Sequence, residues 1–263
     1  MKHYILLLIL YFIGSCGTDS IFFSLEQRDV ATEATIAIEN NDPEKAIELC
    51  LTELGSDYSQ IISNLEQGTI PMAIAQTQLL TKLSEIAEEK TIDRPYNTAS
   101  ILSTAYAQKA GVDVIDIIAG LIEPSASSSG SLESVADQIT YDLGGKNLGA
   151  MEKSVAVLRS IGLANNRDVE NFKLTFYQLS YMTLFVKSLP DVSDIDVTDA
   201  LVILDFLEAS IQSGSLTDDD NGENASMSVE VIQEIYDEIG VLPTDTDSEK
   251  ESKVQSFLDG MNI

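Results

Sequence analysis

Histidine is almost missing from this chain, since its one histidine is His3. A Ser-His-Asp triad, a Cys-His pair and a histidine zinc site all need an imidazole that the rest of the sequence does not supply. The two cysteines, Cys16 and Cys50, are too few for a thiolate zinc site. The G-x-S-x-G, Ser-x-x-Lys and phosphate-loop patterns are also absent. We therefore predict that the protein is not an enzyme and holds no metal in a His or Cys site.

Basic residues are scarce as well, with 15 Lys and Arg against 43 Asp and Glu and a formal net charge of -28. Such a surface repels phosphate backbones and anionic lipid headgroups, which excludes nucleic acid as an expected partner. Attachment to a membrane would then have to come from a lipid. We interpret the acidity as a soluble surface; cation binding or a basic partner is the alternative. Tryptophan is absent, which argues against the sugar cleft of a glycosidase.

The first seventeen residues form a distinct segment. Lys2 gives a short positive start, residues 4–13 form an apolar run, and the run is closed by Ile13-Gly14-Ser15-Cys16. The run is too short to cross a bilayer as a helix, which needs about 20 apolar residues. A basic start, a brief apolar region and small residues at its end are typical of a signal peptide. We predict that residues 1–15 are removed.

The tetrapeptide Ile13-Gly14-Ser15-Cys16 resembles the lipobox of bacterial lipoproteins, an aliphatic residue and two small ones before a cysteine. The resemblance implies that Cys16 becomes the lipidated first residue and that this covalent lipid is the expected prosthetic group. In that family an Asp after the cysteine favours the inner membrane. Gly17 stands there, so the resemblance implies the outer membrane, with the domain facing the periplasm. The alternative is an ordinary secretory signal with Cys16 near the cut.

Residues 16–20 would form the lipidated tether, and residues 21–263 a single helical domain. An extended chain spans at most about 3.3–3.6 Å per residue, so the tether reaches about 15 Å and holds the domain close to the membrane. The Ser-rich loop 124–131 is the best place for a subdivision, although we favour a surface loop within one domain. Cys50 lies on an apolar helical face, and we predict a buried small hydrophobe.

From Ser24 onward the spacing of apolar residues is helical, and strand alternation is hard to find. We predict an all-α fold, either a multi-helix bundle or an irregular helical-hairpin array. Asp42 and Pro43 should cap and open one helix. Asn97 or Thr98 should cap another after a break at Pro95. The predicted helices cover residues 25–39, 43–54, 57–66, 71–89, 98–110, 112–122, 132–143, 148–161, 168–189, 200–213, 227–239 and 249–261.

Two segments resemble parts of a tetratricopeptide repeat. Residues 43–49 look like its second helix, and residues 102–111 look like its first helix, with Tyr106 and Ala110 in matching places. A regular period of about 34 residues does not follow. Such repeats bind peptides or protein surfaces and do no chemistry. The resemblance implies a membrane-anchored, TPR-like helical lipoprotein that binds a protein partner in a bacterial cell-envelope assembly.

Residues 168–189 are the most apolar long segment after the signal region. A helix that is apolar all round is usually buried at the centre of a fold. The alternative is that its aromatic residues line an apolar pocket near Phe172 and Phe185. The chain is also similar to helical lipoproteins that accompany tripartite solute transporters, which implies a solute- or lipid-binding protein. The aromatic side chains in this segment are Phe172, Phe176, Tyr177, Tyr181 and Phe185.

The acidic segment 217–228 resembles an EF-hand loop if Gly222 makes the sharp turn. Asp219 and Asn221 then fall at ligand positions for calcium. However, Thr217 replaces the first aspartate and Ser228 replaces the closing glutamate, which are two of the strongest ligands. We therefore expect a solvated acidic loop rather than a calcium site.

Overall fold

The computed structural model describes residues 29–90, 94–112, 148–162, 168–189, 192–215 and 222–260. Regular structure in these ranges is entirely helical and includes no strand, which confirms the all-α prediction. A short 3₁₀ turn, Val192–Asp194, precedes α8. The α-helices of the described ranges are α1 (Val30–Glu39), α2 (Pro43–Leu54), α3 (Ser56–Glu66), α4 (Met72–Lys90), α5 (Arg94–Lys109), α6 (Leu148–Ile161), α7 (Asp168–Ser188), α8 (Val197–Ser215), α9 (Gly222–Ile239) and α10 (Asp247–Gly260).

The bounds of α2 follow from its local sequence. An Asp42 side-chain oxygen accepts a hydrogen bond from the backbone N–H of Lys45 at 3.2 Å. Pro43 takes the first helical position, where a backbone N–H would have no partner within the helix. The helix ends before Gly55, whose φ of 92° is readily adopted only without a Cβ. The predicted range 43–54 is confirmed, as is 148–161 for α6.

The predicted start of α5 is wrong. The helix begins at Arg94, so Asn97 and Thr98 lie inside its first turns instead of capping it. The Thr98 hydroxyl donates to the Arg94 carbonyl oxygen at 3.0 Å, within the helix. The sequence predicts a break at Pro95, yet proline is tolerated in the first turn because the N–H it lacks is not used there. Its ring is buried in the fold.

Helices pack mainly on their neighbours along the chain. The first group is α1, α2 and α5, which pack on one another, and α5 also packs against α6. The second group continues from α6 through α7 and α8 to α9 and α10. Helices α3 and α4 pair with each other, and α4 packs against α6. The buried apolar side chains form one cluster from Ala34 to Leu258 across the described ranges.

The two segments that resemble a tetratricopeptide repeat lie on helices that touch. The first is on α2 and the second on α5, and these helices pack against each other. Ala46 and Ala110 are fully buried and Tyr106 is 4% exposed. Small side chains at these positions let the helix backbones approach closely. The insertion of α3 and α4 between α2 and α5 explains why the spacing along the sequence is irregular.

Helix α7 is central, as its sequence predicts. Phe176 and Leu179 on one side are buried, and so are Tyr177 and Leu184 on the other. The ring of Tyr181 lies 4.6 Å from that of Phe206 on α8, centroid to centroid. Aromatic contacts at such distances contribute to packing beyond the area they bury. Polar side chains of this helix are buried too, and their hydrogen bonds bear on the cleft described below.

Helices α8 and α9 lie close together at Gly214. A Cβ placed on this glycine would lie 2.3 Å from Cγ2 of Val229 and 3.4 Å from Oγ1 of Thr175. Glycine is needed here for space, since α9 fills the room that a side chain would take. None of the described helices is long and apolar enough to cross a membrane.

Candidate functional site

An open cleft separates α4 from α7 and α8, at the place where α4 and α7 both pack against α6. Its volume is about 290 Å³. Its wall combines aliphatic side chains, uncharged polar side chains and one cation. The lining residues are Gln76, Thr77, Leu80, Arg159, Leu174, Gln178, Ala209 and Gln212. None of these is a carboxylate, in a chain with 43 Asp and Glu.

Arg159 on α6 is the only charged residue among those that line the cleft. Its Nε donates to Oε1 of Gln178 at 2.8 Å, and Nη1 donates to Oδ2 of Asp205 at 3.2 Å. The guanidinium carbon lies 4.5 Å from the ring centroid of Phe206. Only 16% of the Arg159 side chain is exposed. These contacts hold the guanidinium plane in one orientation.

The remaining guanidinium nitrogen of Arg159, Nη2, is shielded from solvent and has no hydrogen-bond acceptor. Burial lowers the pKa of Arg159, and the neighbouring Asp205 opposes that shift. An arginine nevertheless stays protonated in proteins, because its ordinary pKa lies above 12. The guanidinium charge is therefore paired with Asp205, and the nitrogen without an acceptor has no contact with solvent. A buried donor without an acceptor costs about 1–3 kcal/mol.

Gln178 on α7 connects this arginine to α8. It is fully buried, its Oε1 accepts from Arg159, and its Nε2 donates to Oγ of Ser213 at 3.3 Å. The hydroxyl oxygens of Ser213 and Thr175 are 2.9 Å apart. Buried polar groups that satisfy one another in this way are costly to disturb and tend to be rigid. The base of the cleft is thus fixed by side chains from three helices.

The α4 side of the cleft continues onto an apolar surface. Ile74 is 47% exposed and Leu80 is 43% exposed. Residues 72–81 contain no charged residue. The long face of α4 is therefore uncharged where it meets the cleft, although the rest of the molecule is acidic.

A second polar cluster ties α5 to α7. Nζ of Lys173 donates to Oγ1 of Thr104 at 3.2 Å and is 3.4 Å from Oγ of Ser100. Burial lowers the pKa of Lys173, and the charge of Glu170 opposes that shift. A lysine next to a hydroxyl can activate it as a nucleophile. Ser100 is only 3% exposed, however, so a substrate could not reach it. We interpret this cluster as a connection between helices.

Lys153 on α6 serves as another connection. Its Nζ lies 2.5 Å from Oε1 of Glu66 on α3 and 5.3 Å from the ring centroid of Tyr106 on α5. The lysine is 5% exposed. The hydrogen bond from Lys153 lowers the pKa of Glu66. The Lys153 ammonium group therefore connects α6 to both α3 and α5.

Cys50 is buried, as predicted. It is fully covered on α2, and burial raises the pKa of its thiol to about 12. A thiol with such a pKa is protonated at neutral pH and is therefore a poor nucleophile or metal ligand. Within the ranges that the structure describes, no group of three or more His, Cys, Asp or Glu side chains is arranged to hold a metal ion.

Several predicted site residues lie outside the described residues. These are Cys16 with the tether 16–20, the loop 124–131, and the calcium-loop positions Asp219 and Asn221. They stay predictions. Helix α9 begins at Gly222, the residue that the calcium-loop hypothesis assigns to a sharp turn.

The cleft was not anticipated from the sequence. Arg159, Gln178 and Gln212 are scattered along three helices and form no motif. The one local signal is the uncharged stretch 72–81 within an acidic chain. No protein-family model matches this chain, and comparison with curated proteins and with solved structures found no match either.

Proposed function

We propose that this protein is a bacterial lipoprotein, held at the outer membrane by lipid on Cys16, whose helical domain binds a protein partner in a cell-envelope assembly. The proposed anchor rests on the lipobox-like tetrapeptide Ile13-Gly14-Ser15-Cys16 that closes a signal-like segment. Acyl chains contribute about 0.8 kcal/mol per buried CH₂, and more than one chain makes anchoring stable. The domain would face the periplasm.

The observation that carries the binding role is an open, carboxylate-free cleft beside a closed core. The helices pack their apolar side chains into one continuous cluster. The lining of the cleft carries no carboxylate, and Ile74 and Leu80 on α4 are exposed. A rigid helical scaffold with such a surface suits recognition of another protein. Catalysis is not part of the proposal, because the two candidate nucleophiles that we describe, Cys50 and Ser100, are buried.

The alternative, a solute- or lipid-binding lipoprotein with a pocket near Phe172 and Phe185, has weaker support. Phe176 is 2% exposed, and Phe172 packs edge-on against it at 4.8 Å between ring centroids. Tyr181 stacks on Phe185 at 6.3 Å. These rings contact one another and the core, whereas a hydrophobic ligand would need them to line a cavity.

The anchor is tested by growing cells with radioactive palmitate and isolating this polypeptide. We expect label in the wild type and none in Cys16→Ala, because the thiol is the predicted acylation site. An unlabelled wild-type chain would refute the lipoprotein proposal. Cys50→Ala is the matched control, since its buried thiol should leave the labelling unchanged.

The binding role is tested by solubilising membranes mildly and isolating the protein with whatever accompanies it. We expect a reproducible partner with the wild type, and a loss of that partner from the membrane fraction with Cys16→Ala. A chain that is consistently recovered alone, after chemical crosslinking as well, would contradict the proposal. In that case, lipid or solute recovered in stoichiometric amount would favour the alternative.

A further inference from the structure

We draw no further inference here: the strongest candidate, the open cleft between α4 and α7–α8, carries nothing because the guanidinium group of Arg159 on its wall is already paired with Asp205 and nothing in the structure shows what occupies the cleft.

Discussion

Gly214 offers a direct test of the packing between α8 and α9. Alanine at this position would place a Cβ 2.3 Å from Cγ2 of Val229, far inside van der Waals contact. Valine is branched at Cβ and has one strongly preferred rotamer in a helix, so the methyl group cannot turn away cheaply. The two helices would have to separate, or the backbone would have to shift.

Two contributions to stability compete in Gly214→Ala. Overpacking a well-filled contact costs about 1–3 kcal/mol, whereas replacing a helical glycine with alanine gains about 0.8–1 kcal/mol. The overpacking contribution should win, because Thr175 closes the other side at 3.4 Å. The difference of these ranges gives a net loss of up to about 2 kcal/mol in the free energy of unfolding.

Urea unfolding followed by circular dichroism measures this change. The control is Gly149→Ala in α6, where a Cβ would meet no atom within 4 Å and stability should not fall. The double variant Gly214→Ala with Val229→Ala should recover part of the loss, because the clashing methyl is gone. A Gly214→Ala protein as stable as the wild type, with no coupling to residue 229, would refute the close approach of α8 and α9.

Three further predictions concern single side chains. Cys50 should resist thiol reagents at pH 8 in the folded protein and react once the protein is unfolded. Because burial raises the pKa of its thiol, the contribution of Cys50 to stability is present below pH 9 and is lost as the pH rises towards about 12. Urea titrations across this pH range would show the loss. Gln178→Leu leaves Nε of Arg159 without its acceptor, so chemical denaturation should reveal a loss of about 1–3 kcal/mol, and no loss would mean that water replaces the amide. Asp42→Ala removes the cap of α2 and should lower stability by about 1 kcal/mol, while Asp42→Asn should retain most of it; equal losses would show that the cap does not act through its hydrogen bond.

Helix positions were predictable where the sequence carries local signals. The Asp-Pro start and glycine end of α2 act on the backbone within a few residues, so both bounds were found. At α5 the same kind of signal gave the wrong start of the helix, because Pro95 looks like a break but stands in the first turn. The centrality of α7 followed from composition alone, because an apolar surface on all sides must be covered on all sides.

The cleft depends on contacts that no local pattern records. Gln76 and Gln212 are far apart in the sequence and come to the same opening only because α4 and α7 both pack against α6. Arg159 could have been a surface charge on an amphipathic helix. Its role follows from the buried Gln178 and from Phe206, which fix the guanidinium group. Such arrangements emerge from tertiary packing, which a single sequence does not specify locally.

The order in which the helices pack also determines which interfaces connect the two groups of helices. Within the described part, α6 provides the main junction between α1–α5 on one side and α7–α10 on the other. In a chain of helices joined mostly by neighbouring interfaces, stability is distributed interface by interface. A ligand bound in the cleft between α4 and α8 would add a second bridge across this junction. Its arrival would stiffen the scaffold, so occupancy should be visible as slower amide exchange in α6.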